Sequence, residues 1–132
     1  MRHPWTAAVG SVAVLLSGCG PGPTPISPGC TGEKAPIRTA LKRAPGAVTL
    51  VDGSRLSTCV ENGLDDAELQ DVGIVFHQIA EELRQTARER HDAAAAVQLG
   101  YLIGATRRGA AHTGGVMSEL QRRVELVGGR LQ

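Results

Sequence analysis

The chain has 132 residues with 14 basic and 13 acidic side chains, so its formal net charge is only +1. A chain this balanced has no general electrostatic attraction to nucleic acid or to acidic lipids. Its aromatic side chains are one Trp, one Tyr and one Phe. These are too few for the stacking surfaces that bind single-stranded nucleic acid, or for an aromatic cage around a quaternary ammonium ligand. The composition predicts a single domain of modest size without a nucleic-acid partner.

Residues 1–18 have the layout of an export signal. Arg2 supplies a positive charge near the start, and residues 6–16 form an apolar run that only Gly10 and Ser11 interrupt. A membrane-spanning helix needs about 20 predominantly apolar residues, whereas the apolar core of a signal peptide has about 7–15. We therefore interpret residues 1–18 as a signal peptide.

The segment Leu16-Ser17-Gly18-Cys19 resembles the lipobox of bacterial lipoproteins. The resemblance implies that a diacylglyceryl group is attached to the Cys19 thiol, that the signal is removed before this residue, and that the new amino terminus is acylated. Two or more acyl chains anchor a protein stably, whereas one holds it only marginally. We therefore expect an extracytoplasmic protein held by lipid on a bacterial cell membrane. This is the outer face of the plasma membrane, or the outer membrane if there is one.

Residues 19–36 are predicted to form a tether between this lipid and the folded domain. The segment is rich in glycine and contains Pro21, Pro23, Pro25, Pro28 and Pro36. Such a composition favours an extended, semi-rigid chain of about 3.1 Å per residue. Residues 20–29 would then hold the domain about 30 Å from the membrane. The folded domain is predicted to occupy residues 37–132.

Residues 33–60 are predicted to form a short helix followed by a β-hairpin. Ile37 and Leu41 have the i, i+4 spacing of an amphipathic helix, and the basic residues around them are predicted to be solvated. Residues 48–51 and 55–60 favour β-structure and flank an Asp-Gly turn signal. The hairpin, placed at 47–60, must pack on other elements because a lone hairpin is marginal in water. The predicted fold is α+β and mostly helical, with about three helices packed with this hairpin.

The next helix is predicted from one apolar stripe and from its cap. Asp65 and Glu68 match an N-cap arrangement, which explains this acidic boundary better than a cation site does. A break is predicted near Arg90 and His91, because Asp92 can cap a new helix. The stripe, at alternating spacings of three and four, consists of Leu69, Val72, Phe76, Ile79 and Leu83.

Residues 93–105 have only one clearly polar side chain, Gln98. A helix that is apolar on all faces and too short to span a membrane is predicted to be the buried central helix. Ala96, Gly100 and Gly104 follow one another at intervals of four and form a ridge that permits close backbone approach. We expect this contact inside the chain. The alternative is contact between two copies, so these residues are also a candidate association ridge.

A third helix is predicted after the glycines at 114–115. Its apolar stripe repeats at helical spacing, and the glycines at 128–129 are predicted to end it. The stripe consists of Met117, Leu120, Val124, Val127 and Leu131.

Cys30 and Cys59 are the two thiols that remain if Cys19 is acylated. An even pair in an exported chain predicts a disulfide, here between the end of the tether and the hairpin. No zinc-site spacing accompanies these cysteines. We therefore predict no metal and no cofactor.

Three classes of function remain open. The favoured class is a non-catalytic interaction or structural module of the cell envelope, whose partners are the membrane and an envelope protein. A carrier of a small apolar ligand, with its cavity beside the glycine ridge, is the first alternative. A small hydrolase would need His77 or His112 in a pocket beside a nucleophile or an acid.

Overall fold

The computed structural model describes residues 26–61, 65–111, 113 and 115–131. Cys19 and most of the predicted tether lie outside these residues. Within them the chain forms a short 3-10 helix at Pro28–Cys30 and five α-helices. The α-helices are α1 (Lys34–Leu41), α2 (Thr58–Glu61), α3 (Asp66–Glu89), α4 (Ala93–Ala110) and α5 (Val116–Gly129). Among the described helices, none combines the length and the apolar character that a membrane span requires.

The three long helices form an up-down-up bundle. At one end Gly73 of α3 faces the Leu120 side chain of α5. At the other end Arg88, on α3, donates a hydrogen bond to the carbonyl of Arg130, just after α5. These contacts show that α3 and α5 run in the same direction, and the intervening α4 runs in the opposite one. The three apolar stripes found in the sequence correspond to α3, α4 and α5, but the described residues hold five α-helices rather than the predicted three or so.

Local capping sets the helix boundaries as predicted. The Asp65 carboxylate accepts from the Glu68 amide at 2.8 Å, and Glu68 accepts in return from the Asp65 amide at 3.3 Å. This reciprocal pair satisfies two amides that the first turn of a helix leaves without partners. After α3 the backbone breaks at His91, where φ is 51°. Asp92 then caps α4 by accepting from the Ala95 amide at 3.1 Å.

The predicted hairpin at 47–60 is wrong, and with it the α+β class. The described part of the chain has no strand, and the only β-type pairing there is one isolated bridge between Thr49 and Arg55. After this bridge the second run turns into α2 at Thr58–Glu61 instead of continuing as a strand. The first run is a loop whose Val48 and Leu50 side chains are buried. Burial in the core, rather than a ladder of hydrogen bonds, stabilises this segment.

The predicted short helix is confirmed as α1, which packs on one side of the bundle. It starts at Lys34 and includes Pro36 in its first turn, where the missing amide costs no helical hydrogen bond. Ile37 is fully buried, and Lys34 and Arg38 both bind the Glu82 carboxylate of α3. The folded region therefore begins before residue 37.

Candidate functional site

The predicted glycine ridge makes no close contact inside the chain. A Cβ atom added to Gly100 or Gly104 would meet nothing within 4 Å. The close approaches of α4 occur at other residues. A Cβ atom on Gly109 would lie 2.6 Å from Val60 Cβ of α2, and one on Gly128 of α5 would contact the end of the Ile103 side chain of α4. The expectation that the ridge packs internally is therefore wrong.

The helix that carries the ridge is also less buried than predicted. Leu99 and Leu102 face the core and are fully buried, whereas Val97 is 43% exposed and Gly100 is exposed. The interior of this bundle covers only part of the circumference of α4. Small side chains and glycine on the other face remain in contact with solvent.

Within the described residues, a cleft of about 480 Å³ lies between the first halves of α3 and α5, and we call it the α3/α5 cleft. Its apolar lining consists of Leu69, Gly73, Ile74, Val116 and Leu120. Its polar lining consists of Gln70, His77, Glu119 and Arg123. The sequence interpretation did not find this site, although the glycine inside the predicted α3 stripe was a usable signal.

Gly73 lies in the floor of the α3/α5 cleft. A glycine inside a helix costs about 1 kcal/mol relative to alanine. Close packing does not require it here, since a Cβ atom on Gly73 would lie 3.9 Å from a Leu120 methyl, an ordinary contact. The absent side chain leaves the cleft open. A locally unfavourable residue without an internal packing reason is expected at functional positions.

The walls of the cleft expose two large aliphatic side chains. Ile74 on α3 is 47% exposed, and Val116 at the start of α5 is 62% exposed. Each exposed apolar residue is ordinary by itself, but two that line one concave site are typical of a binding surface. This cleft is the strongest candidate for a binding site in the described part of the chain.

One rim of the cleft carries an excess of positive charge. Glu119 accepts hydrogen bonds from Arg122 at 2.7 Å and from Arg123 at 2.8 Å. The hydrogen bonds from Arg122, and then those from Arg123, lower the pKa of Glu119 to about 2. Glu119 is therefore ionised at neutral pH, and one carboxylate faces two guanidinium groups. Arg123 uses only Nε in this interaction, and its terminal nitrogens have no hydrogen-bond partner among the described residues.

His77 lines the cleft without forming a catalytic arrangement. In the described ranges no hydrogen bond joins it to a hydroxyl or a carboxylate, and no three metal-ligating side chains are placed to hold an ion. The Glu81 carboxylate instead binds Arg84 at 2.8 Å and Arg130 at 3.4 Å. The hydrogen bond from Arg84 is the main cause of its lowered pKa. His112 lies outside the described residues.

The predicted disulfide between Cys30 and Cys59 is confirmed. The two Cα atoms are 5.4 Å apart, and both side chains are fully buried. The bond joins the 3-10 helix at the start of the described chain to α2, which packs on α4. It therefore fixes the point at which the predicted tether meets the folded domain.

Comparison of the chain with protein-family models, with curated proteins and with solved structures found no match.

Proposed function

We propose that the chain is a lipid-anchored, exported, non-catalytic binding module of the bacterial cell envelope. We further propose that its α3/α5 cleft binds an amphipathic helix of an envelope protein. The observation that carries the proposal is the open floor at Gly73 between the exposed side chains of Ile74 and Val116. The lipobox resemblance at Cys19 and the buried disulfide support export.

The dimensions of the cleft favour a helix as its occupant. From Leu69 to His77 the cleft follows α3 for about 12 Å, at 1.5 Å per residue. This length matches two helical turns, and the parallel α3 and α5 would flank the docked helix. Recognition would use two or three apolar side chains at helical spacing. Small ligands usually have 70–90% of their surface buried, which this cleft, with walls about half exposed, does not provide.

The charges on the rim define the partner helix further. Among the described residues the terminal N–H groups of Arg123 are free, and the negative charge of the neighbouring Glu119 is already balanced by its hydrogen bonds with Arg122 and with Arg123 Nε. A guanidinium binds a carboxylate through paired hydrogen bonds. We therefore expect an acidic side chain one turn from the apolar residues of the partner helix.

A carrier of a small apolar ligand is the second candidate function, because the α3/α5 cleft is large enough to hold such a ligand. The α3/α5 cleft, at about 480 Å³, falls within the usual range of about 300–1,000 Å³ for ligand pockets. The groove beside the glycine ridge, where the carrier cavity was expected, has only about 290 Å³. Native mass spectrometry of the purified chain distinguishes the two candidates. A bound small molecule favours the carrier, and a bound protein favours the binding module.

Anchoring is tested by the mass of the amino-terminal peptide of the chain extracted from membranes. We expect a peptide that begins at Cys19 and carries a diacylglyceryl group on its thiol and an acyl chain on its amino terminus. Replacing Cys19 with Ser should abolish both the acylation and the cleavage before residue 19. An unmodified Cys19 in the wild-type chain would contradict the lipid anchor.

The cleft is tested by photo-crosslinking in intact membranes. A benzophenone amino acid replaces either Ile74 in the cleft or the control residue Gln85, which is exposed on α3 about 16 Å farther along the helix. We expect a covalent adduct with an envelope protein from position 74 and little or none from position 85. Absence of a protein adduct from position 74, or equal adducts from both positions, would contradict binding in the cleft.

A further inference from the structure

The loop between α1 and α2 turns a large aliphatic side chain fully outward. Buried and outward side chains alternate along it, so that Val48 and Leu50 lie in the core while Val51 is 91% exposed. Val51 is the most exposed large hydrophobic side chain in the described ranges. A single exposed valine is ordinary, so the groups around it decide what this loop can bind.

Two guanidinium groups lie on the same side of the loop. Arg43 donates from Nη1 to the carbonyl and the hydroxyl of Thr49, both at 3.2 Å. Arg55 is the antiparallel bridge partner of Thr49, and bridge partners project their side chains to the same side, about 5 Å apart. Neither arginine forms an ion pair with a carboxylate among the described residues. Arg43, Thr49, Val51 and Arg55 form what we call the Val51 face.

The carboxylate next to Val51 leaves the positive charge of this face in excess. Asp52 accepts from the amide of Ser54 at 3.0 Å and from its hydroxyl at 2.6 Å. Hydrogen bonds from Ser27 and then from Ser54 lower the pKa of Asp52 to about 2, so its charge is present at neutral pH. Residues 42–55 nevertheless contain three basic side chains and one acidic one, a local net charge of +2. The face is therefore suited to an anionic partner.

The chain that leads to the proposed lipid site leaves the described domain beside the Val51 face. Ser27 and Val51 line the same shallow groove, of about 290 Å³. Cys19 lies eight residues before Ser27, and an extended chain of about 3.1 Å per residue spans about 25 Å over this length. A domain of about 100 residues is roughly 30 Å across. The tether is thus shorter than the domain is wide, so the Val51 face lies on the side of the domain that is nearest to a membrane holding Cys19.

We infer that the Val51 face rests on an anionic phospholipid surface, with Arg43 and Arg55 at the lipid phosphates and Val51 in the interface. The inference rests on the lipid anchor proposed above. Arginine binds phosphate through paired hydrogen bonds, and an anionic membrane surface attracts basic side chains that lie close to it. Two arginines and one valine would bind a membrane only weakly by themselves. The anchor keeps them within reach of the surface, so their contact has a high effective concentration.

Tryptophan fluorescence of the full, lipid-anchored chain in vesicles with brominated acyl chains tests this contact. Trp5, in the predicted signal peptide, is the only tryptophan of the sequence, so Val51→Trp introduces a single reporter into the processed chain. Leu126→Trp is the matched control, because Leu126 is 51% exposed on α5, which packs mainly on α3 and α4. In vesicles with about 30% phosphatidylglycerol we expect the reporter at position 51 to be quenched at least ~3-fold more than that at position 126.

The charge of the arginines is tested in the Val51→Trp background. Adding Arg55→Glu should lower the quenching at least ~3-fold, whereas Arg55→Lys, which retains the positive charge, should leave most of it. Neutral phosphatidylcholine vesicles should lower it to a similar extent.

Flotation of the vesicles separates this contact from the anchor. A chain that floats with the vesicles but is quenched equally at positions 51 and 126, or not at all, overturns the inference and leaves the anchor intact. Such a result would leave the Val51 face to solvent or to a protein. Equal quenching with Arg55→Glu and Arg55→Lys also overturns it. A chain that does not float lacks the anchor, and the inference then falls with it.

Discussion

Replacing Cys30 and Cys59 together with alanine should lower the free energy of unfolding by about 3–4 kcal/mol. The disulfide closes a loop with a sequence separation of 29 residues, and the chain-entropy model assigns a stabilisation of this size to a loop of about 30 residues. Domains of this size usually have a total stability of about 5–15 kcal/mol. The loss is therefore a large share of the stability, and urea denaturation of the oxidised wild type and the double variant measures it.

Reduced wild-type protein is the control for the loss of the two sulfur atoms. Both cysteines are fully buried, so reduction should require partial unfolding, and the reduced chain should then unfold at a urea concentration close to that of the double variant. A stability difference below about 1 kcal/mol between oxidised wild type and double variant would contradict the chain-entropy argument.

Gly73→Leu should stabilise the domain while it removes partner binding. The substitution replaces a mid-helix glycine with a good helix former, which is favourable by about 0.5–1 kcal/mol. The new side chain enters the α3/α5 cleft, whose nearest atom to a Cβ at position 73 is a Leu120 methyl at 3.9 Å. Opposite effects on stability and on binding are typical of a residue kept for function. A role of Gly73 in internal packing predicts the reverse, a lower thermal midpoint.

Helix boundaries could be predicted because their causes are local. Asp65 with Glu68, and Asp92 with the Ala95 amide, are separated by three residues, so spacing alone indicates the caps. The disulfide could be predicted from an even count of thiols together with the expectation of export. The hairpin could not be predicted in this way. An Asp-Gly pair favours a turn. Whether the flanking residues then pair as β-strands depends on how they pack in the core, and here Cys59 and Val60 are buried in a helix.

The glycines show the same limit of local information. Gly73, Gly100 and Gly109 all lie inside helices, so their local setting does not distinguish them. In the folded chain a Cβ atom on Gly109 would lie 2.7 Å from the Ser57 carbonyl, while one on Gly100 would meet nothing within 4 Å. Only tertiary contacts separate a glycine needed for packing from one that leaves a surface open. Because the sequence does not show these contacts, it could predict neither that the glycine ridge is exposed nor that a cleft lies over Gly73.

Retention of an envelope protein by the full chain tests the central claim most directly. Wild type, Gly73→Leu and Gln85→Leu are purified in parallel from membranes, and the proteins that accompany each are quantified by mass spectrometry. Gln85→Leu places the same side chain on an exposed position of α3, about 12 Å along the helix from the last cleft residue, His77. We expect wild type and Gln85→Leu to retain the same partner and Gly73→Leu to retain at least ~10-fold less. Equal retention by all three chains would contradict a binding function of the cleft.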